Sequence, residues 1–325
     1  MRYILKKISK LSQKIWGTRS CLPFADRITD PNIASEIVYN ALMGKSPCMI
    51  ARYGATELMA MVNYLGVKRG RPNLLSYMLG RELDWWWRDT TLNQLKNWSG
   101  FFPPTIDNVE KFCELMITDS KQLDVLVSWL NDEFYFKNSI SAKYKIQGLF
   151  IDPFWAKQPW TKALENKTVL VVHPFAQLIK KQYENKRQYL FSNADILPMF
   201  KLHVIPAIQS LGGAKNGFDS WFDALEYMKQ EISKIDFDIC LLGCGAYGFP
   251  LAAYVKSLGK KAVHIGGSLQ LLFGIKGARW ENPAYGFSEL GKEGCYLSLM
   301  NENWVRPNKE GRAINAESVE SGCYW

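Results

Sequence analysis

Short apolar runs alternate with amphipathic segments from about residue 48 to residue 267. Five runs have the length and the β-branched content of strands: CMIARYG from Cys48, TVLVVHPF from Thr168, LHVIPAIQSL from Leu202, FDICLLG from Phe237 and KKAVHIGG from Lys260. The second of these has no polar alternation, which is typical of a strand buried on both faces of a parallel sheet.

Four of these runs are followed by segments that predict helices. The segments are ATELMAMVNYLG ending at Gly66, AQLIKKQYENKRQYLF from Ala176, DSWFDALEYMKQEISK capped by Asp219, and FPLAAYVKSLG from Phe249. In the third, an apolar stripe recurs at helical spacing through Phe222, Leu225, Met228 and Ile232. Strands alternating with helices predict an α/β fold with a doubly wound, mostly parallel, Rossmann-like sheet.

The chain divides into an N-terminal segment and one domain with two subdivisions. Residues 1–30 form a basic amphipathic N-terminal segment, and residues 31–325 form a single composite α/β domain. Within that domain, residues 72–160 predict a helical insertion rich in aromatic side chains, including Trp85, Trp86 and Trp87. Residues 165–285 form the half of the domain in which a nucleotide is expected to bind.

The first 16 residues predict a helix with one apolar face. Ile4, Ile8, Leu11 and Ile15 share that face, and one arginine and four lysines add five positive charges. This is the pattern of a helix lying on an anionic membrane surface. An amphipathic helix packed on the domain has the same pattern, so both interpretations stand.

The composition favours an anionic partner. The net charge of +9 and a pI near 9.0 suit a phosphorylated small molecule, a nucleic acid or an acidic membrane surface. Seven cysteines without a C-x-x-C pair indicate reduced thiols. With no apolar stretch of 18 residues and no signal-peptide pattern, we expect a cytoplasmic protein, held peripherally at the inner face of the cytoplasmic membrane if the N-terminal helix binds lipid.

Candidate chemistry collects where the strands end. Ligands of open parallel sheets bind outside the carboxyl ends of the strands. Those ends carry Arg52 to Gly54, His173 with Pro174, Gly243 to Gly248, and His264 to Gly267. Two of the three histidines therefore fall on one rim beside glycines, which favours a functional role over a structural one.

The segment GCGAYG from Gly243 is a formal match to G-x-G-x-x-G, between a strand and a helix. Glycines in this position let the backbone approach a phosphate at a helix N-terminus. A dinucleotide site also needs an acidic residue about 20 positions later, where this chain has His264. We therefore keep the phosphate-binding interpretation and discount a nicotinamide cofactor, with close helix–strand packing as the structural alternative.

The first strand–turn–helix unit adds charge. In ARYGATEL, Arg52 can pair with a phosphate, and Glu57 can hold a divalent cation or act as a base. Stabilisation of the first helical turn by the macrodipole is the ordinary role of such a glutamate.

These residues carry a resemblance to a known family. The early Arg52-Tyr53-Gly54-Ala55-Thr56-Glu57, the VLVVHPF strand and LLGCGAYGFPLAAYVKSLGKKAVHIGG together resemble the GT-D-type glycosyltransferases over roughly residues 45–285. The segments LQLLFGIKGARW and GCYW resemble a subgroup associated with capsule and other polysaccharide gene clusters. The resemblance implies a GT-D-like fold and transfer of a sugar from a nucleotide-sugar donor to a surface polysaccharide or lipid-linked glycan acceptor. We expect the donor to be a UDP-sugar.

The resemblance also implies a metal ligand. In that family a D-x-E motif of the first unit is tied to the metal and the donor nucleotide. Here Ala55 stands at the position of the aspartate and Glu57 at that of the glutamate. Mn²⁺ or Mg²⁺ held by Glu57, the diphosphate and water is one expectation, and stabilisation by basic side chains without metal is the other.

The expected site follows from these motifs. Donor-binding residues are Arg52, Gly54, Gly243, Gly245, Ala246, Tyr247, Gly248, Gly266 and Arg279, with Lys181 or Arg187 as further basic candidates. The candidate base is Glu57, then His173, then His264. Trp280 is expected near the acceptor.

Three other interpretations compete. GCGAYG supports an NAD-linked oxidoreductase, the high pI supports a nucleic-acid-binding protein, and Ala55 supports a non-catalytic scaffold. Since no nucleic-acid-binding motif is recognisable, we expect no nucleic-acid partner.

Overall fold

Seven strands form one all-parallel sheet in the computed structural model, which describes residues 2–16, 24–210, 216–307 and 324. The strands are β1 (Cys48–Ala51), β2 (Val125–Ser128), β3 (Tyr144–Gln147), β4 (Thr168–His173), β5 (Lys201–Pro206), β6 (Ile239–Leu242) and β7 (Lys261–His264). Their spatial order is β3-β2-β1-β7-β6-β4-β5. The predicted α/β fold with a parallel, doubly wound sheet is confirmed.

The described residues also form α-helices, several of which cover both faces of this sheet. They are α1 (Arg2–Trp16), α2 (Pro31–Met43), α3 (Ala55–Arg69), α4 (Leu74–Met78), α5 (Asp89–Ser99), α6 (Ile106–Asp119), α7 (Ala176–Leu190), α8 (Trp221–Ser233), α9 (Gly248–Ser257), α10 (Leu269–Leu272), α11 (Ala278–Glu281) and α12 (Phe287–Leu290). Alternate strand residues point to opposite faces. Leu170 and Val172 therefore join one apolar cluster with α3, α6, α8 and α9, while Val169 and Val171 join another with α2 and α7.

Register explains why strand ends gather at one rim. Val172 of β4 pairs with Leu242 of β6, and that residue pairs with His264 of β7. On the other side of β7, Ile50 of β1 pairs with Val263. Because all strands run the same way, the residues that follow them meet at a single edge of the sheet.

The region 72–160 differs from the sequence prediction. It contains the helices α4, α5 and α6, but it also supplies the strands β2 and β3 to the sheet. Each strand has only four residues, and the neighbouring aromatic and helical segments hide such a short apolar run.

Two predicted helix boundaries also move. The helix predicted to end at Gly66 continues to Arg69, and a Cβ at Gly66 would lie 2.2 Å from the carbonyl oxygen of Asp84. This glycine therefore permits close packing rather than ending the helix. The helix predicted to be capped by Asp219 is capped by Ser220, whose hydroxyl accepts the backbone N–H of Asp223 at 3.2 Å.

Parts of the sequence prediction fall outside the described residues. These parts are residues 17–23 of the N-terminal segment and most of the C-terminal GCYW, of which only Tyr324 is described. No helix in the described ranges is both long enough and apolar enough to cross a membrane.

Candidate active site

A cavity of about 220 Å³ lies at the carboxyl edge of the sheet. Strands β1 and β7 are neighbours there, and the chain leaves β1 toward β2 on one side and reaches β7 from β6 on the other. Such a reversal of strand order opens a crevice in which ligands bind. Four strands deliver a lining residue from the position where they end: Arg52, His173, Gly243 and His264.

The turn between β1 and α3 places a buried carboxylate in the cavity. Glu57 stands in the first turn of α3 and is 7% exposed. Its carboxylate folds back over Gly54, where a Cβ would lie 1.9 Å from Oε2, so only glycine leaves room for it. Burial raises the pKa of Glu57, and the backbone amide of Glu57, the Ser99 hydroxyl and the Arg52 charge offset part of that rise.

The same turn supplies the positive charge of Arg52. Its guanidinium carbon lies 4.4 Å from the centre of the Trp129 ring. Within the residues that the structure describes, Arg52 forms no ion pair with an acidic side chain. An arginine held in this way against an aromatic ring in a cavity is suited to bind a phosphate or diphosphate.

His173 lies in the cavity as a hydrogen-bond donor. The backbone N–H of Phe175 donates to Nδ1 of His173 at 3.0 Å, which assigns the proton of the neutral ring to Nε2. Burial lowers the pKa of His173 to about 3, so the ring is neutral near pH 7. The ring therefore offers an N–H to a ligand rather than a lone pair to a proton.

His264 has a different environment. Burial, and then the Arg52 charge, lower the pKa of His264 to about 3, which keeps this ring neutral too. Its Nδ1 is buried without a hydrogen-bond partner in the described chain, and the residue lines the cavity. A polar ligand atom in the cavity would satisfy this nitrogen.

The glycine segment divides between the cavity and the core. Gly243 and Gly245 line the cavity, whereas Ala246 and Tyr247 are buried and do not. The Tyr247 ring stacks on Trp221 with centroids 4.9 Å apart.

The last glycine of the segment makes close packing possible. A Cβ at Gly248 would lie 2.3 Å from Nε2 of His264, so this glycine lets α9 approach β7. The structure brings only the first half of GCGAYG to the cavity, and there Gly245 has a φ of 57°, which favours glycine.

The loop after β7 contributes Gly266 to the lining, and helix α11 contributes Arg279 and Trp280. The Arg279 guanidinium lies 4.8 Å from the centre of the Tyr324 ring. Trp280 is 1% exposed, and its indole N–H has no hydrogen-bond partner in the described chain. The other basic candidates, Lys181 and Arg187 of α7, do not line the cavity.

Asp152 also lies in the cavity wall and is not among the residues predicted from the sequence. Its carboxylate is buried in the cavity wall and accepts hydrogen bonds from the hydroxyls of Ser268 and Tyr296, each at 2.6 Å. Burial raises the pKa of Asp152 to about 6, and the two hydroxyls and the Arg52 charge oppose that rise. A lone aspartate inside the apolar run GLFIDPFW was the available signal, since an unpaired charge is seldom placed there.

Two tryptophans at the cavity were also missed. Trp98 is 43% exposed and Trp129 is 39% exposed, and both line the cavity. Partly exposed indole rings offer flat apolar faces to a ligand. In a sequence with 12 tryptophans, nothing distinguishes these two from buried ones.

The donor set does not build a metal site. No three acidic, histidine or cysteine side chains of the described residues lie close enough together to hold an ion. Ala55 is exposed, and both oxygens of Asp152 already accept hydroxyl hydrogen bonds. Glu57 is the one remaining carboxylate in the cavity lining that the structure describes.

Comparisons with known proteins add a weak structural similarity. No protein-family model matches the chain, and no curated protein sequence matches it. One solved structure, described as "a new glycosyltransferase" from Streptococcus sanguinis with domain of unknown function 1792, has 12% identity and a TM-score of 0.38 over 88% of this chain and 96% of that chain. A second, described as the same domain with "a distinct glycosyltransferase fold", has 10% identity and a TM-score of 0.38 over 96% of both chains. At these values the similarity assigns neither a family nor an activity to this chain.

Proposed function

We propose that this protein is a glycosyltransferase that takes a sugar from a nucleoside-diphosphate donor. The observation that carries the proposal is one cavity that joins Arg52, without an ion pair in the described chain, to the buried carboxylate of Glu57 and to two partly exposed tryptophans. Arg52 can bind an anion, Glu57 can accept a proton, and the tryptophan rings can stack on the apolar face of a sugar. The motif resemblance in the sequence agrees with this chemistry.

The donor diphosphate is assigned to the rim between β1 and β6. The Arg52 guanidinium would pair with its oxygens, and the Nε2 proton of His173 would donate to one of them. Gly243 and Gly245 leave the backbone open to the ligand at this rim, because neither has a side chain. The indole N–H of Trp280 and Nδ1 of His264 are the buried groups left for sugar hydroxyls or the base.

Transfer needs one proton acceptor. The bond between the anomeric carbon and the diphosphate oxygen breaks, the acceptor oxygen bonds to that carbon, and the acceptor proton passes to a base. Glu57 is the best candidate, because burial raises its pKa and makes its carboxylate a stronger base than an exposed one. The departing diphosphate keeps the electron pair, and Arg52 stabilises the added charge.

The proposal contains no step through a metal. The described residues would supply Mn²⁺ or Mg²⁺ with Glu57 alone, and the same carboxylate cannot readily be both metal ligand and base. The acceptor we propose is a surface polysaccharide or a lipid-linked glycan, as the motif resemblance implies.

Ligand binding tests the proposal. Isothermal titration with UDP, GDP, their sugar conjugates and NADH, each with and without Mn²⁺, should show binding of a nucleoside diphosphate. Arg52→Ala should weaken that binding by roughly tenfold to a hundredfold, since a hydrogen bond to a charged group is worth about 1.5–3 kcal/mol. Lys181→Ala, which removes an exposed lysine away from the cavity, should leave the affinity unchanged.

Other outcomes would replace parts of this assignment. Binding that requires Mn²⁺ and disappears in Glu57→Ala would make Glu57 a metal ligand and move the base to another residue. Binding of NADH without any nucleoside diphosphate would overturn the proposal in favour of an oxidoreductase. One feature argues against that alternative: His264 stands at the end of β7, where a dinucleotide fold needs an acidic residue for the ribose.

A further inference from the structure

Helix α1 packs on the rest of the molecule through its polar side. Lys6 Nζ lies 3.5 Å from Oδ2 of Asp84, and Ser9 is buried. Gln13 covers Gly80, where a Cβ would lie 2.4 Å from Cγ of Gln13. The side of the helix that faces the domain therefore includes Lys6, Ser9 and Gln13 and lies opposite the isoleucines.

The apolar side chains of α1 are left exposed. They are Tyr3 at 70%, Ile4 at 61%, Ile8 at 42%, Leu11 at 60% and Ile15 at 65%. At 3.6 residues per turn the last four form one stripe along the helix. A helix that packed on the domain by its apolar side would bury this stripe, so the structure does not support that interpretation of the sequence.

Positive charge lies beside the stripe. Lys7, Lys10 and Lys14 are exposed, and α1 contains no acidic residue. Residues 69–82, which include the helix α4 that α1 contacts, contain three arginines and one glutamate, so the region under α1 is also basic. This surface combines an apolar stripe with an excess of cations.

We propose that α1 binds an anionic lipid surface, with Ile4, Ile8, Leu11 and Ile15 at the boundary of headgroups and acyl chains. The lysines then lie near lipid phosphates, and both contributions act together. Pairing of α1 between two copies of the chain would cover the same stripe but would bring lysines against lysines, which charge complementarity disfavours. This inference rests on α1 alone and does not depend on the proposed transferase activity.

Vesicle co-sedimentation of the full chain tests this surface. The protein should sediment with vesicles of phosphatidylcholine and phosphatidylglycerol, and much less with phosphatidylcholine alone or at high salt. The double variant Ile8→Glu with Leu11→Glu should lower the partition coefficient by roughly tenfold or more. Removing lysines with Lys7→Gln and Lys14→Gln should lower it about fivefold for each charge.

A matched variant controls for the change in charge. Met199→Glu with Leu258→Glu adds the same two negative charges at apolar side chains that are 63% and 40% exposed but lie outside α1, and this double variant should sediment as the native chain does. Circular dichroism and thermal unfolding should show that each variant keeps its fold.

Two results would overturn the proposal. One is equal sedimentation of the native chain and the Ile8→Glu with Leu11→Glu variant. The other is a dimer by light scattering that this variant converts to a monomer, without binding of either form to anionic vesicles, which would assign the stripe to contact between two copies.

Discussion

Two strand–turn–helix units reach the same cavity and contribute to it differently. The unit of β1 and α3 delivers side-chain charge, Arg52 and Glu57, from a turn with one glycine. The unit of β6 and α9 has three glycines in a recognised pattern, yet Ala246 and Tyr247 face the core. The glycine-rich turn between β6 and α9 therefore contributes space for a ligand, and the turn between β1 and α3 contributes the charged side chains.

The glycines of the second unit bring histidines close. A Cβ at Gly243 would lie 2.7 Å from Cδ2 of His173, and a Cβ at Gly248 would lie 2.3 Å from Nε2 of His264. This close packing buries both rings away from water, and burial is the largest cause that lowers their pKa values to about 3. A G-x-G-x-x-G pattern can therefore arise from packing against side chains as well as from binding a pyrophosphate.

The largest effect is expected from replacing Glu57 in the unit of β1 and α3. With the donor that the binding panel identifies, Glu57→Gln should lower turnover by roughly a hundredfold to ten-thousandfold, because it removes the proton acceptor. The acid limb of the native rate profile should lie above the ordinary glutamate pKa of 4.5, since burial raises the pKa of Glu57 and only the ionised form accepts a proton.

Steady-state kinetics between about pH 4 and pH 8 would measure both effects. Glu36→Gln, a change at an exposed glutamate of α2, is the matched control and should behave as the native protein. Turnover of Glu57→Gln within a few fold of native would remove Glu57 from the reaction.

A second test adds one methyl group to a glycine in each of the two turns. Gly248→Ala should lower the free energy of unfolding by about 3 kcal/mol, because its methyl group meets the buried ring of His264. Gly54→Ala should cost less than about 1 kcal/mol, because its methyl group meets the end of the flexible Glu57 side chain, but it should displace that carboxylate and lower turnover.

Chemical denaturation and turnover, measured on both variants, separate stability from activity. If Gly248→Ala were as stable as the native protein and lost donor binding instead, the second turn would be a ligand site after all. The contrast drawn between the two units would then fail.

The sequence predicted the rim of the site better than its walls. Arg52, Glu57, His173 and His264 were identified because each lies where a strand ends or the next helix begins, and parallel strands bring those positions together. Asp152 could not be assigned this way, since it follows a short helical turn rather than a strand, and its hydrogen-bond partners Ser268 and Tyr296 lie 116 and 144 residues further along the chain.

The outer strands and the packing of the first helix also could not be predicted from the sequence. The four-residue strands β2 and β3 were missed because a short apolar run does not distinguish strand from helix. For α1, periodicity identified the apolar stripe but gave no information on which side contacts the domain, which depends on Asp84 and Gly80 far along the chain.

The smallest expected effect concerns Asp152 in the cavity wall. Asp152 has a pKa of about 6 in the folded protein against 3.8 for an exposed aspartate, so the folded state holds the proton more tightly. Between these values the free energy of unfolding falls as pH rises, by about 2 kcal/mol from this residue. The pKa values of His173 and His264 are lowered from 6.5, so these residues act in the opposite direction and destabilise the fold as pH falls below that value.

Replacing Asp152 separates these opposing contributions. Asp152→Asn keeps a side chain of the same size and removes only the contribution of the Asp152 carboxyl, which lowers stability as pH rises. The free energy of unfolding of this variant should therefore rise more steeply with pH between about 4 and 6 than that of the native protein. Urea unfolding across that range measures the slope, and Asp219→Asn, at an exposed position, should retain the native slope. Identical slopes for Asp152→Asn and the native chain would mean that Asp152 keeps an ordinary pKa, and its surroundings in the cavity wall would have to be more hydrated than its 3% exposure indicates.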